Sequence, residues 1–150
     1  MIFVDTNYFL RFLLKDDEQQ YLIVRKLFIE SARRKIKLVT SLVVFFEVVW
    51  VLKSSYGKDK KSMVETLFNM LKLDFEIPEK YQIIESLSLF QKTNLSLEDC
   101  YNLVFAKNIN SSEFKTFDSK LDKVAKELLE KETLDNEEFE KLVGKKKINS

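Results

Sequence analysis

Four acidic residues stand where carboxylates can do chemistry: Asp5, Glu47, Asp99 and Asp118. Asp5 and Asp118 each end a short run of strand-forming residues, whereas Glu47 and Asp99 lie in stretches with helical patterns. Carboxylates that are brought close together repel one another unless a cation joins them. Mg²⁺ and Mn²⁺ take oxygen ligands and leave positions for water and phosphate. The four acids therefore favour metal-assisted hydrolysis of a phosphodiester.

The residues that the chain lacks exclude other mechanisms. The sequence contains no His, one Cys, and two Gly, at positions 57 and 144. Without His there is no Ser-His-Asp triad and no His-containing metal site. One Cys cannot form an internal disulfide, a zinc site or an iron–sulfur site, and two Gly exclude a Gly-rich phosphate loop. Hydrolysis by this chain must depend on carboxylates, Lys and oxygen-bound metal ions.

The composition is typical of one globular domain. The chain has 150 residues, of which 45% are hydrophobic, and this length is sufficient for a proper core. The net charge is +1, so any attraction for nucleic acid must be local. No apolar run approaches the length of a transmembrane helix, and the N-terminal residues lack the features of a signal peptide. We expect a cytoplasmic protein with no membrane partner.

The N-terminal stretch organises the predicted fold. Residues 2–4 are a short apolar run typical of a strand buried on both faces, and residues 5–7 end it and can begin a helix. Asp5 then lies at the carboxyl end of a central strand, where open α/β sheets place ligand sites. The alternative is that Asp5 is only a helix N-cap, a position that Asp favours.

Two more acids fall in predicted helices. Ser41 precedes the most apolar stretch of the chain, 42–52, whose length and cap favour a helix over a strand. Glu47 is then a carboxylate among apolar neighbours, where burial without a partner is costly; the alternatives are an exposed stripe or a Lys partner. Asp99 follows Ser96 by three residues, so it either completes a capping box or faces inward.

Residues 114–118 repeat the opening pattern of a short strand that ends in an acid and is followed by a helix. Parallel strands that end in acids at the same edge would bring Asp5 and Asp118 together. Asp122 lies one turn beyond Asp118 and is a further candidate. Residues 38–40 and 73–77 are predicted to form two more short strands.

In this order, the motifs resemble the PIN domain and are most similar to the VapC-type ribonuclease toxins of toxin–antitoxin pairs. The resemblance covers about residues 1–125. The motifs that carry it are Val-Asp-Thr-Asn at 4–7, Glu-Val-Val-Trp-Val-Leu at 47–52 with Tyr-Gly at 56–57, Leu-Glu-Asp at 97–99 and Thr-Phe-Asp at 116–118. The implied fold is α/β, a three-layer α/β/α domain over residues 1–130 with a short parallel sheet of four or five strands. Residues 131–150 would form a C-terminal helical extension and a basic tail.

The resemblance also implies a metal-dependent endoribonuclease that hydrolyses RNA phosphodiester bonds. Its cofactor would be Mg²⁺ or Mn²⁺, and its partners would be the RNA substrate, a cognate antitoxin protein that blocks the site, and a second copy in a homodimer. Asp5, Asp99 and Asp118 match acids that bind metal, and Glu47 matches one that holds a second metal or orients the attacking water. Other matching positions are Thr6, Asn7, Thr116 and Asp122. The candidate phosphate contacts are Arg11, Lys15, Lys53 and Lys115.

Two departures from the family pattern affect the C-terminal half. Residues 97–101 are bulkier than the small residues usual around the third acid, and helix-forming sequence follows Asp118 where the family often has a short final strand. Two rival functions stay open. One is a related nuclease that acts on DNA or in RNA processing, and the other is a binding module for RNA or protein that has lost catalysis. The presence of all four acids argues against loss.

Overall fold

The computed structural model describes residues 1–57 and 59–131. The chain divides into two compact units, the first Met1–Ile84 and the second beginning at Glu85. The strands are β1 (Ile2–Phe3) and β2 (Leu38–Val39). The helices are α1 (Thr6–Leu14), α2 (Glu18–Ala32), α3 (Leu42–Tyr56), α4 (Lys60–Leu71), α5 (Lys80–Lys92), α6 (Leu97–Asn108) and α7, which is helical from 119 to 131.

The sheet of the first unit is short and parallel. β1 pairs with β2 in the register Ile2 to Leu38 and Phe3 to Val39, and one further parallel bridge joins Val39 to Glu76. The strands are short because residues that begin helices follow them closely in the sequence. Within the part of the chain that the structure describes, the sheet consists of these two strands and the bridge. The α/β class holds there, but the predicted four or five strands are not shown.

The predicted burial of β1 on both faces is wrong for its two residues. Ile2 and Phe3 are 41% and 58% exposed, and the apolar run is buried only at Val4, which is 1% exposed. Among the described residues, β1 has a hydrogen-bonded strand neighbour on one edge only. The apolar run therefore enters the core through its last residue.

The strand predicted at residues 114–117 is not observed, since these residues form no strand in the described part of the chain. Short-range hydrogen bonds take its place. The Ser111 hydroxyl donates to the Glu113 carbonyl at 2.8 Å, and the Asp118 amide donates to the Thr116 hydroxyl at 3.1 Å. Such local bonds offer the backbone an alternative to a ladder between strands.

The helical interpretation of residues 42–52 is confirmed. The Ser41 hydroxyl accepts a hydrogen bond from the Val44 amide at 3.3 Å and so caps α3. The buried side of α3 consists of Val44, Phe45, Val48, Val49 and Leu52. Its exposed side includes Val43, Glu47, Trp50 and Ser54. The helix therefore buries one apolar face and presents a mixed face to solvent.

Aromatic packing anchors α1 in the first unit. Phe9 is fully buried, and its ring centroid lies 5.0 Å from that of Phe75 and 5.7 Å from that of Phe28. Phe12 packs edge-on against Phe28 at 5.1 Å. These contacts fix the helix whose N-terminus carries Asp5, and they bury large apolar surfaces.

In the second unit, α6 and α7 each bury an apolar stripe. The Ser96 hydroxyl caps α6 by accepting from the Asp99 amide at 3.1 Å, as the capping-box pattern predicts. The buried residues of α7 recur at helical spacing: Leu121, Ala125 and Leu129. Among the described residues, no helix combines the length and hydropathy that a membrane span requires. The predicted extension and tail over 131–150 lie outside the described residues, apart from residue 131.

Candidate active site

Asp5 occupies the N-cap position of α1 without acting as a side-chain cap. Its backbone is extended, and its carbonyl accepts from the Tyr8 amide at 3.1 Å. Its exposed carboxylate makes no capping hydrogen bond within the described residues. The backbone geometry thus agrees with the N-cap alternative, while the carboxylate stays available for another ligand.

The residue after Asp5 connects this helix start to Glu47. The hydroxyl of Thr6, which is 9% exposed, donates a hydrogen bond to Glu47 Oε2. The expectation that Glu47 sits among apolar neighbours is wrong, because the side chain lies on the exposed stripe of α3. Thr6, the residue that follows Asp5 in the sequence, therefore links the start of α1 to Glu47 through its hydroxyl group.

A buried threonine that sequence reasoning missed holds the backbone just before Asp5. Thr40 is 5% exposed, and its hydroxyl donates to the Val4 carbonyl at 2.7 Å. Its amide donates to the Glu76 carbonyl at 2.9 Å. Thr40 thereby joins the carboxyl end of β2 to that of β1. The only signal in the sequence is a polar residue between a strand and the Ser41 cap.

The acids of the second unit have local partners. Asp118 Oδ1 accepts from the amides of Lys120 and Leu121, both at 2.9 Å, so Asp118 caps α7. Asp99 is half-buried in the first turn of α6. Asp122 accepts from Lys126 Nζ at 2.7 Å, and this hydrogen bond raises the pKa of Lys126 above its ordinary value. Asp122 is therefore less available as a ligand than Asp99.

Three of the four candidate phosphate contacts have partners within the protein. Arg11 donates to Asp16 at 2.8 Å and to Gln20 at 2.6 Å, which ties α1 to the start of α2. Lys15 Nζ lies 5.4 Å from the ring centroid of Tyr21, and Lys115 pairs with Glu113 at 2.7 Å. Lys53, exposed on α3, has no ion pair within the described residues. The sequence could not reveal these partners, because the contacts depend on packing.

The polar residues that flank the acids line cavities. In the first unit, Asn7 belongs to a groove of about 310 Å³ lined by Asn7, Tyr8, Arg11, Gln20, Ile23 and Val24. In the second unit, Lys115, Thr116 and Asp122 help to line a cavity of about 640 Å³. Asn7, two residues after Asp5, is the lining residue of this groove that is nearest to Asp5 in the sequence.

The donor set of the first unit fits a hard divalent cation. Asp5 and Glu47 both have exposed carboxylates. Thr6 follows Asp5 in the sequence, and its hydroxyl donates a hydrogen bond to Glu47. Mg²⁺ is typically held by one or two carboxylates, with water and substrate phosphate completing its shell. No cluster of three or more Asp, Glu, Cys or His suited to a metal occurs within 1–57 and 59–131. In the first unit, the candidate metal ligands are therefore two carboxylates, those of Asp5 and Glu47.

Comparison with known families agrees with the arrangement of motifs. The sequence model of the PIN domain matches residues 2–127, a span that includes all four candidate acids. Neither the curated proteins nor the solved structures contain a match. PIN domains are generally nucleases, and nucleases of this family generally use divalent metals. Because the match covers most of its length, the chain belongs to the PIN domain family.

Proposed function

We propose that this protein is an Mg²⁺- or Mn²⁺-dependent endoribonuclease that hydrolyses RNA phosphodiester bonds. The observation that carries the proposal is the hydrogen bond from Thr6 to Glu47, which sets an exposed glutamate beside the helix start that bears Asp5. A carboxylate with no structural partner is unusual at a helix cap, and it suits a ligand role. In the second unit, Asp99 and Asp118 are also proposed as metal ligands.

Each residue of the proposed site in the first unit has a separate role. A divalent ion bound at these acids lowers the pKa of water and stabilises charge on the leaving oxygen. Asp5 would hold the ion, and Glu47, fixed by the Thr6 hydroxyl, would hold a second ion or orient the attacking water. Thr40 keeps the Val4 carbonyl in place, so the backbone that carries Asp5 does not shift. Each role needs oxygen donors only, which agrees with a chain that lacks His.

The first prediction is metal-dependent cleavage. Purified protein with Mn²⁺ or Mg²⁺ should cut single-stranded RNA internally, and excess EDTA should abolish the cut because no bound ion then lowers the pKa of the attacking water or stabilises the leaving oxygen. Gel analysis of end-labelled RNA measures it, with DNA of the same sequence as the comparison. Cleavage that persists in EDTA would refute the mechanism. Preference for DNA would favour the related-nuclease rival, and metal binding without any cleavage would favour the binding module.

We also propose that the nuclease is the toxin of a toxin–antitoxin pair and acts as a homodimer. The observation that supports a protein partner is the groove between α1 and α2, whose lining combines apolar and polar residues and includes Asn7, two residues after Asp5 in the sequence. Ile23 in the groove is 61% exposed, and neighbouring Leu22 is 55% exposed. An amphipathic helix fits such a surface through its apolar face. A basic residue on the partner would then reach the exposed carboxylate of Asp5.

The second prediction tests this partner. Co-expression with a small protein from a neighbouring gene should yield a stable complex with suppressed cleavage. Ile23→Asp should weaken the complex, because it puts a charge into an apolar contact, and should leave cleavage by the free protein unchanged. Pull-down and light scattering measure the complex and the proposed homodimer. The toxin role fails if expression alone is harmless and no partner copurifies, even if the purified protein cuts RNA.

A further inference from the structure

The exposed stripe of α3 carries a large aromatic side chain one turn beyond Glu47. Val43, Glu47, Trp50 and Ser54 follow one another at intervals of three or four residues and share a face of the helix. Trp50 is 69% exposed and is the only Trp of the chain. Trp is enriched at interfaces, because its ring offers a large apolar face and its N–H a polar group, so the exposed indole is a candidate binding residue.

The charge around Trp50 favours a polyanion. The sequence contains no acid between Glu47 and Asp59, and exposed Lys53 lies one turn beyond Trp50. Asp59, the next acid, caps α4 by accepting from the Ser62 amide at 3.2 Å. Hydrogen bonds from Ser62 lower the pKa of Asp59 and hold its carboxylate at the start of α4. The end of α3 therefore presents an aromatic ring one turn before Lys53, which has no ion pair among the described residues.

We propose that Trp50 is a stacking platform for a base of single-stranded RNA whose backbone reaches the carboxylates, and that Lys53 contacts a neighbouring phosphate. The inference rests on the proposed function and names the part of the substrate that the α3 face holds. Three residues of helix separate Trp50 from Glu47 by about 4.5 Å along the axis, a distance that a nucleotide spans. Aromatic stacking combined with cationic contacts is how proteins hold single strands without reading their sequence.

The chain is suited to a direct test because fluorescence from its single Trp reports this position alone. Metal-free protein in EDTA is titrated with a single-stranded RNA oligonucleotide at low ionic strength, so that binding is measured without cleavage. Saturable quenching of Trp emission is expected, and duplex RNA of equal length should quench less because its bases are already stacked. Quenching that never appears while labelled RNA binds would overturn the proposal.

Substitutions measure the contribution of the ring. Trp50→Ala should weaken RNA binding by about 5- to 150-fold, the equivalent of about 1–3 kcal/mol for one stacked base. Trp50→Phe should retain most of the affinity, since it keeps an aromatic face. Tyr81→Ala is the control, because Tyr81 is another strongly exposed aromatic, at 89% against 69% for Trp50, on another helix. Fluorescence anisotropy of labelled RNA gives the dissociation constants, and circular dichroism checks that each variant is folded.

The outcomes separate this inference from the proposed function. If wild-type protein cleaves RNA and Trp50→Ala does so with unchanged KM, the stacking role is wrong and the nuclease stands. If RNA quenches Trp50 but no metal supports cleavage, the binding surface stands and the nuclease fails. If Trp50→Ala converts a dimer to a monomer at unchanged RNA affinity, the α3 face binds a second copy and the stacking proposal is overturned.

Discussion

Asp5→Asn should lower RNA cleavage by more than about 100-fold and leave the metal-free protein at least as stable as the wild type. Residues that merely support a metal ligand cost about 10–100-fold when changed, so loss of a direct ligand should exceed that range. Stability should be preserved because the Asp5 carboxylate makes no capping bond among the described residues and Asn is an equally good N-cap. If the acids converge as proposed, removing one carboxylate also removes repulsion from the metal-free state.

Thermal melting with and without Mn²⁺ isolates the ligand role. A ligand stabilises only the state that it binds, so the rise in Tm that Mn²⁺ gives the wild type should largely disappear in Asp5→Asn.

Thr6→Val should reduce cleavage less, by about 10–100-fold, because Thr6 positions Glu47 without binding the ion. Glu65→Gln, a change to an exposed acid of α4, should alter neither cleavage nor the Mn²⁺ shift.

The opposite pattern would identify Asp5 as a structural cap. If Asp5→Asn strongly destabilised the metal-free protein and kept the Mn²⁺ shift, the carboxylate would serve the helix and not the ion. Asp118 shows the hydrogen bonds of a side-chain cap, since its Oδ1 accepts two backbone amides at the start of α7, and its proposed ligand role requires its other carboxylate oxygen. A cap of that kind contributes about 0.5–2 kcal/mol when compared with Ala. The two acids have the same sequence pattern but different hydrogen bonds.

The local part of the fold could be predicted from the sequence, because caps and helical periods are short-range signals. Ser41 and Ser96 begin the helices that their spacing indicates, and the long apolar stretch after Ser41 is helical despite its β-branched residues. The order of motifs also indicated the PIN domain, which the family match shows. These features depend on neighbours a few residues apart, and so a single sequence contains them.

The pairing of strands and the partners of charged groups could not be predicted in the same way. Residues 114–117 contain strand-forming Phe and Thr, but local hydrogen bonds at both ends of this segment take the place of a ladder in the described part of the chain. The sequence predicts that Arg11 contacts phosphate, whereas in the folded protein Arg11 donates hydrogen bonds to Asp16 and Gln20. The hydrogen bond from Thr6 to Glu47 joins residues 41 positions apart, so no local sequence pattern predicts it.

Phe9→Ala should cause the largest loss of stability among simple substitutions in the first unit. Phe9 is fully buried between Phe28 and Phe75, and truncating such a ring typically costs about 3–5 kcal/mol through lost burial and a residual cavity. For a chain of this length, Tm should fall by about 6–20 °C. Periodicity alone does not identify Phe9, because Tyr8 beside it is also aromatic but is 43% exposed.

Tyr8→Ala is therefore the matched control, and its effect on the free energy of unfolding should stay within about 0.5 kcal/mol. Denaturant titration with a common slope gives both values. The Phe9 result also bears on function, since Phe9 holds the helix that presents Asp5. The Tm of Phe9→Ala, although lowered, should still rise when Mn²⁺ is added, because the carboxylates are intact and the ion binds only the folded protein. Equal losses from the two substitutions would show that the aromatic cluster does not anchor α1, and the positioning of Asp5 would then need another cause.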